Sequence, residues 1–294
     1  MNPQPPTIAV IGGSGFYNLP GLTDVTDLLI HTPFGAPSDR IRVGTLGGRR
    51  VAFLARHGRD HIYSPSAIPA AANIWALKSL GVRRVISVSA EGSLREEIAP
   101  GHLALPDQLI DRTTRNPRSF FGEGIVGHVA FAEPFCPALR ATLRTAAAPG
   151  GPIHDGGTLV VMEGPQFSTR AESDLHRSWG ASYVGMTALP EARLAREAEL
   201  CYATLALITD YDCWHDTHET VSAALVANTL RGLTERARAV LQAVIPTLPE
   251  QAAAGCTCGD ALAHGIMTAQ NAVSDAVRFR LQPIIGRFLP PIGV

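Results

Sequence analysis

Residues Leu200–Trp214, LCYATLALITDYDCW, constrain the fold more than any other stretch. Ala203 to Ile208 is an almost uninterrupted apolar run, short enough for a strand buried on both faces. Such strands lie in the middle of mostly parallel sheets whose two faces are covered by helices. A buried helix segment shares this periodicity and stays open as the rival. The run stops at Thr209-Asp210-Tyr211-Asp212. Carboxylates just past the carboxyl end of a buried strand stand where open α/β sheets bind ligands. A turn that uses Asp for its short polar side chain is the plainer explanation, and the rest of the chain must decide between the two.

The chain has 294 residues, 46% apolar and 17% charged. That suffices for one large α/β domain or two modest ones. The net charge of −1, without a basic stripe, gives nucleic acid no electrostatic footprint. The opening MNPQPPTIAV lacks the charged and apolar regions of a secretory signal. No apolar run approaches the ~20 residues of a membrane span. We therefore expect a cytoplasmic protein with no membrane partner. The cysteines are 136, 201, 213, 256 and 258, an odd number that in a reducing compartment implies mostly free thiols. Cys256-Thr-Cys258 is too short to supply two of four zinc ligands without a second pair, and the sequence has no other close pair.

Other strand exits share the character of the first. Thr7–Ile11 runs into Gly12-Gly13-Ser14-Gly15, a turn whose backbone N–H groups can approach an anion, or merely a tight turn. Arg50–Ala55, paired with Arg40–Gly44, runs into Arg56-His57-Gly58-Arg59-Asp60-His61. Arg56 can hold phosphate in a fork with His57 beside it, or the segment is a solvated loop. HGRDH is not a zinc helix motif. Arg84–Ser89 opens into Ala90-Glu91-Gly92-Ser93, and Gly157–Met162 into Glu163–Arg170, where Phe167 can stack on a planar base or pack in the core. Convergence of such loops on one crevice suits a nucleoside or nucleotide. Helices are expected over Pro65–Leu80, Pro137–Ala148, Ala171–Trp179, Pro190–Leu200 and Val221–Val244, with a strand over Gly101–Ile110 interrupted by Pro106. Asp111–Cys136 is a long irregular segment of the kind that is functional or lies at a subunit contact. Glu191, Arg193, Arg196, Glu197 and Glu199 read as a solvated helix face.

These stretches together resemble the trimeric purine nucleoside phosphorylase family. The resemblance is carried by IGGSGFY at 11–17, RHGRDH at 56–61, ANIWALKSLGV at 72–82, SAEGSLREEIAPG at 89–101, DQLIDRT at 107–113, AEPFCP at 132–137, EGPQFSTRAES at 163–173, WGA at 179–181, GMTALPEARLAREAELCYA at 185–203 and TDYDCW at 209–214. It spans most of residues 7–245. It implies a single α/β domain over residues 1–250, with a central mixed sheet flanked by helices. Residues 251–294 form an extension, expected to be helical and packed on the same domain or a neighbour. A homotrimer is implied, with a hexamer as the alternative.

The resemblance implies phosphorolysis: phosphate attacks C1′ of a purine nucleoside and releases the base. It is nearest to members that cleave S-methyl-5′-thioadenosine to adenine and 5-methylthioribose 1-phosphate, in purine and methionine salvage. By position, Ser14, Arg56, His57, Ser89 and Thr187 should hold phosphate. Ala90, Phe167 and Met186 should contact base or ribose, and Ser168, Asp210 and Asp212 the purine edge. Asp210 would protonate N7 of the leaving base, and an aspartate pair suits a 6-amino group. His128, from a neighbouring subunit, and Val221, Ala223, Val226 and Ala227 would form an apolar 5′ pocket. Phosphate is a co-substrate; no cofactor and no metal are expected. Glu91 departs from the small or apolar residue or Cys common in relatives, and as an anion it would repel phosphate unless it turned away or paired with an Arg. Ala223 and Ala227 leave the 5′ pocket roomy. The alternatives are a phosphorylase for 6-oxopurine nucleosides or methylthioinosine, a hydrolytic nucleosidase, and a non-catalytic nucleoside-binding module.

Overall fold

A computed structural model describes residues 4–16, 19–216, 221–251 and 253–290, together with the backbone but not the side chain of Ser14. The strands are β1 (Ile8–Gly12), β2 (Thr23–Leu28), β3 (Ile41–Leu46), β4 (Arg49–Ala55), β5 (Arg84–Ser93), β6 (Leu103–Leu105), β7 (Gln108–Arg112), β8 (Ile153–Asp155), β9 (Thr158–Met162), β10 (Tyr183–Gly185) and β11 (Cys201–Asp210). The helices are α1 (Ala70–Ser79), α2 (Pro137–Ala147), α3 (Arg170–Ser178), α4 (Ala188–Glu197), α5 (Ala223–Val244), α6 (Asp275–Arg280) and α7 (Gln282–Ile285). The strands join in one mixed sheet, β2-β3-β4-β1-β5-β10-β9-β7, with β11 added along β5 and β6 and β8 beyond it.

The apolar run at 203–208 is the strand that its composition predicts. All ten residues of β11 are buried, and it runs parallel to β5 from Cys201 opposite Arg84 onward. Alternation along the strands sends side chains to two cores. Ala9, Ile11, Ala206 and Ile208 face a cluster completed by α1, α4 and α7. Ile8, Val10, Leu205 and Leu207 face one completed by α2 and α5. Leu262, Val273, Leu281 and Ile285, from the segment after residue 250, join the first cluster, so that segment packs on the domain.

Several elements differ from what the local sequence predicts. The expected strand over Gly101–Ile110 divides into β6 and β7 on either side of Pro106, because proline cannot donate to a ladder. The helix expected from Pro65 begins at Ala70, after a 3-10 turn at Pro65–Ala67. The charged positions around α4 are not a solvated face: Glu191, Arg196, Glu197 and Glu199 are all buried. Each carries a partner that offsets the cost of burial. Glu191 holds Arg56, Glu197 accepts from the Ser119 hydroxyl and the Phe120 amide, Glu199 holds Arg287, and Arg196 donates to the Glu133 carbonyl.

Candidate active site

The carboxyl ends of β1, β4, β5, β9, β10 and β11 surround a cavity of about 460 Å³, bordered on the far side by α5. That volume is in the usual range for small-molecule sites, roughly 300–1,000 Å³. Arg56, His57, Ser89, Ala90, Phe167, Met186, Thr187, Asp210, Asp212 and Val226, all expected from sequence, line it. Ser168 sits behind the wall, its hydroxyl facing the Asp212 carboxylate. The Ser14 side chain lies outside the described residues, although Gly13 and Gly15 on either side line the cavity.

At one end, Arg56 is buried, with all but one of its guanidinium hydrogens taken by the protein. It donates from Nε and Nη2 to the two oxygens of Glu191, both at 3.0 Å, from Nη1 to the Val88 carbonyl, and from Nη2 to Ser87 Oγ. The fork expected to hold phosphate is therefore closed on Glu191. These bonds leave one Nη1 hydrogen over, so Arg56 can offer an anion a single bond. His57 Nδ1 lies 2.8 Å from the Tyr63 carbonyl, which makes Nδ1 the donor and leaves Nε2 with its lone pair. Burial, with Arg56 nearby, holds His57 down to about 4, so the ring is neutral at neutral pH. His61 stacks on it at 4.3 Å. Thr187 precedes α4 without capping it through its side chain, which leaves its hydroxyl for a ligand.

At the other end, the register of β11 against β5 shifts between Ile208 and Asp210. A bulge of this kind re-aims a side chain at a strand end. Asp210 Oδ2 accepts from the Thr209 hydroxyl at 2.6 Å and Oδ1 from the Asp212 amide at 2.8 Å. Burial nevertheless holds the Asp210 carboxyl above its usual range. Asp212 has φ 53°, a left-handed backbone that costs energy outside glycine and concentrates at functional sites. Its Oδ2 is buried without a hydrogen-bond partner. Burial raises its pKa too, with the Ser173 and Ser168 hydroxyls opposing. Gly92 permits this crowding, since a Cβ there would stand 2.9 Å from Asp210 Oδ1. Arg115, from the long irregular segment, donates to the carbonyls of Met162, Glu163, Met186 and Leu189 and so ties together two loops of the cavity.

Glu91 neither turns away nor pairs with an arginine side chain. It lines the cavity, buried, with Oε1 accepting from Ser89 Oγ at 2.6 Å and Oε2 unpartnered. It lies over Gly185, where a Cβ would fall 1.4 Å from Oε2. Burial pushes the carboxyl up to about 8, so at neutral pH it is a neutral acid and the feared repulsion is absent. The same bond commits the Ser89 hydroxyl to Glu91.

The 5′ wall also differs from expectation. Helix α5 turns Val226, Leu230 and Thr234 toward the cavity, four residues apart, which is one helical face. Val221, Ala223 and Ala227 do not line it, and Ala223 and Ala227 are exposed. The helical spacing was readable, but the phase was set by α5 packing through Leu233, Ala237, Val240 and Leu241. His128 is exposed, and its amide bonds the Gly265 carbonyl away from this cavity.

A family model described as the phosphorylase superfamily matches residues 7–246. The S-methyl-5′-thioadenosine phosphorylase of Chloroflexus aurantiacus is 52% identical over 284 residues, 96% of this chain and 98% of that protein. The enzyme of the same name from Geobacter sulfurreducens is 48% identical, covering 96% and 99%. Among solved structures, a methylthioadenosine phosphorylase from an antarctic soil metagenomic library superposes with a TM-score of 0.91 at 43% identity, covering 96% of this chain and 99% of that one. A methylthioadenosine phosphorylase from Schistosoma mansoni, solved with adenine, gives 0.79 at 35% identity, covering 82% and 91%. The chain belongs to the phosphorylase superfamily, and within it to the S-methyl-5′-thioadenosine phosphorylase family.

Proposed function

We propose that this chain is a pentosyltransferase that cleaves S-methyl-5′-thioadenosine with phosphate, giving adenine and 5-methylthioribose 1-phosphate. The observation that carries the reading is the polarity of the cavity: anion-type donors at one end, a buried carboxyl with raised pKa at the other, and an apolar helix face alongside. Phosphate sits against Thr187, the spare Nη1 hydrogen of Arg56, His57 and the glycine turn. Because His57 presents a lone pair, it accepts the remaining proton of hydrogen phosphate and turns the unprotonated oxygens toward C1′. The anion stabilises the positive charge that develops on the sugar. Asp210 supplies the proton that lets adenine leave neutral. The Asp212 carboxylate, which lines the cavity, is suited to accept from the 6-amino group. Val226 and Leu230 receive the methylthio group.

In this reading the protein is cytoplasmic, acts in purine and methionine salvage, and works as a homotrimer in which His128 reaches a neighbour's 5′ pocket. It has neither nucleic acid nor membrane as a partner; among the described residues no helix is long and apolar enough to cross a membrane. One observation favours the 6-oxopurine alternative: neutral Glu91 carries an O–H donor, which suits an oxo group. Initial rates for methylthioadenosine, adenosine, inosine and methylthioinosine, with and without phosphate, test both. Methylthioadenosine should be cleaved fastest and only with phosphate. Fastest cleavage of inosine would overturn the assignment, and release of free sugar without phosphate would mark a hydrolase.

A further inference from the structure

The fold gathers four of the five cysteines far from the cavity. Cys136 stands at the N-cap of α2. Cys201 opens β11. Cys256 and Cys258 come from the segment after residue 250. Their sulfurs all lie within 4.8 Å of one another, with Cys136 to Cys256 at 3.8 Å and Cys201 to Cys256 at 3.5 Å. All are free thiols, and three of the four are buried. The close pair lacking in sequence is supplied by residues 65 positions apart, because β11 and α2 meet at this end of the sheet.

We infer that Cys136, Cys201, Cys256 and Cys258 form a structural zinc site. A tetrahedral zinc with Zn–S bonds of about 2.3 Å sets its sulfurs roughly 3.8 Å apart, close to the two spacings above. Four sulfurs so close together enclose one ion and leave no room for the irons and sulfides of a cluster. Soft thiolates select zinc over magnesium or calcium, and four of them close the coordination shell, as in structural rather than catalytic sites. Four thiolates on a divalent cation carry a net charge of about −2, and buried Arg196 sits beside them with Nη1 3.5 Å from Cys258 Sγ, a position from which it offsets part of that charge. On binding, each thiol yields its proton to solvent and no electron moves. Asp210 lies nine positions beyond Cys201 along β11, about 30 Å of extended chain, so the ion takes no part in the reaction. Its work is to clamp the segment at 253–262 onto β11 and α2.

The test uses the full chain, purified without chelators or a metal-affinity step. Metal analysis should find about one zinc per chain, and Cys256→Ser/Cys258→Ser should bring it near zero. That variant should melt several degrees lower yet keep its kcat on methylthioadenosine at 25 °C. Reduced, metal-depleted wild-type protein gives a readout independent of the variant's folding. Cobalt(II) added to it should produce the strong visible bands of a tetrahedral thiolate site and a thiolate charge-transfer band. Zinc well below stoichiometric, both as purified and after reduced protein is offered zinc, would overturn the inference. So would a weak octahedral cobalt spectrum, or non-reducing peptide maps that place Cys256 or Cys258 in a disulfide.

Discussion

Arg56 and Glu191 form a two-point ion pair, both bonds at 3.0 Å, with each side chain only 2% exposed. Glu191 also accepts from the Tyr202 hydroxyl at 2.9 Å. The pair joins the end of β4 to α4 beneath the anion end of the cavity and leaves that end with little net positive charge. Breaking such a pair strands a buried charge, which costs more than the pair contributes. Glu191→Ala should lower stability by about 3–5 kcal/mol, read from urea unfolding, and should raise the KM for phosphate. Glu191→Gln keeps the shape and one acceptor and should lose less. Equal stability of wild type and Glu191→Ala would contradict the arrangement.

Asp210→Asn removes the transferable proton but keeps the size of the side chain and an acceptor for Thr209. General-acid catalysis is worth roughly 10²–10⁴ in rate, so kcat on methylthioadenosine should fall by that order with little change in KM. Substrates whose leaving group needs no protonation should be spared. If they lose as much as methylthioadenosine does, Asp210 positions the base rather than protonating it.

Glu91 predicts an alkaline limit. Its carboxyl, neutral below about 8, becomes an anion above that pH and adds a negative charge to the cavity that must take up the phosphate dianion. The rate at subsaturating phosphate should therefore fall above pH 8, approaching roughly tenfold per unit. Glu91→Gln should abolish that limb while leaving the rate at pH 7 near wild type. Stability follows the same sign. The folded pKa lies above the ordinary 4.5, so the contribution of Glu91 is full below that value and is lost as pH rises through about 8. Unfolding at pH 5, 7 and 9 in wild type and Glu91→Gln checks it.

Gly185 lies under the same carboxylate. Gly185→Ala should push the Glu91 carboxyl into the cavity and lower activity, because its Cβ would overlap Glu91 Oε2. Glu91→Ala should rescue it, and the double-mutant cycle should show strong coupling. Additive losses would mean that the two residues do not share this space.

Val226 sets the 5′ preference from the apolar face of α5. Val226→Ser should shift the ratio of kcat/KM for methylthioadenosine over adenosine toward adenosine by roughly 1–3 kcal/mol. The same change at exposed Ala223 or Ala227 should leave the ratio unmoved, which separates the face seen in the fold from the one expected by position.

What the sequence determined by itself is what short-range patterns encode. The unbroken apolar run of β11 requires two-sided burial, so its place in the interior of a sheet and the position of Asp210 and Asp212 at its exit were readable. So were the Gly-rich exit of β1, the polar exit of β4 and the family motifs along the chain. Partnership was not readable, because it is a property of surfaces brought together from distant positions. Only the tertiary structure decided that Arg56 closes on Glu191, 135 positions away, that charges around α4 are buried in pairs, and that burial keeps Glu91 neutral. It alone chose which face of α5 meets the cavity, and it alone brought Cys136 and Cys201 to Cys256 and Cys258. The carboxyl end of β11 was legible from sequence, while its other end acquired meaning only through packing.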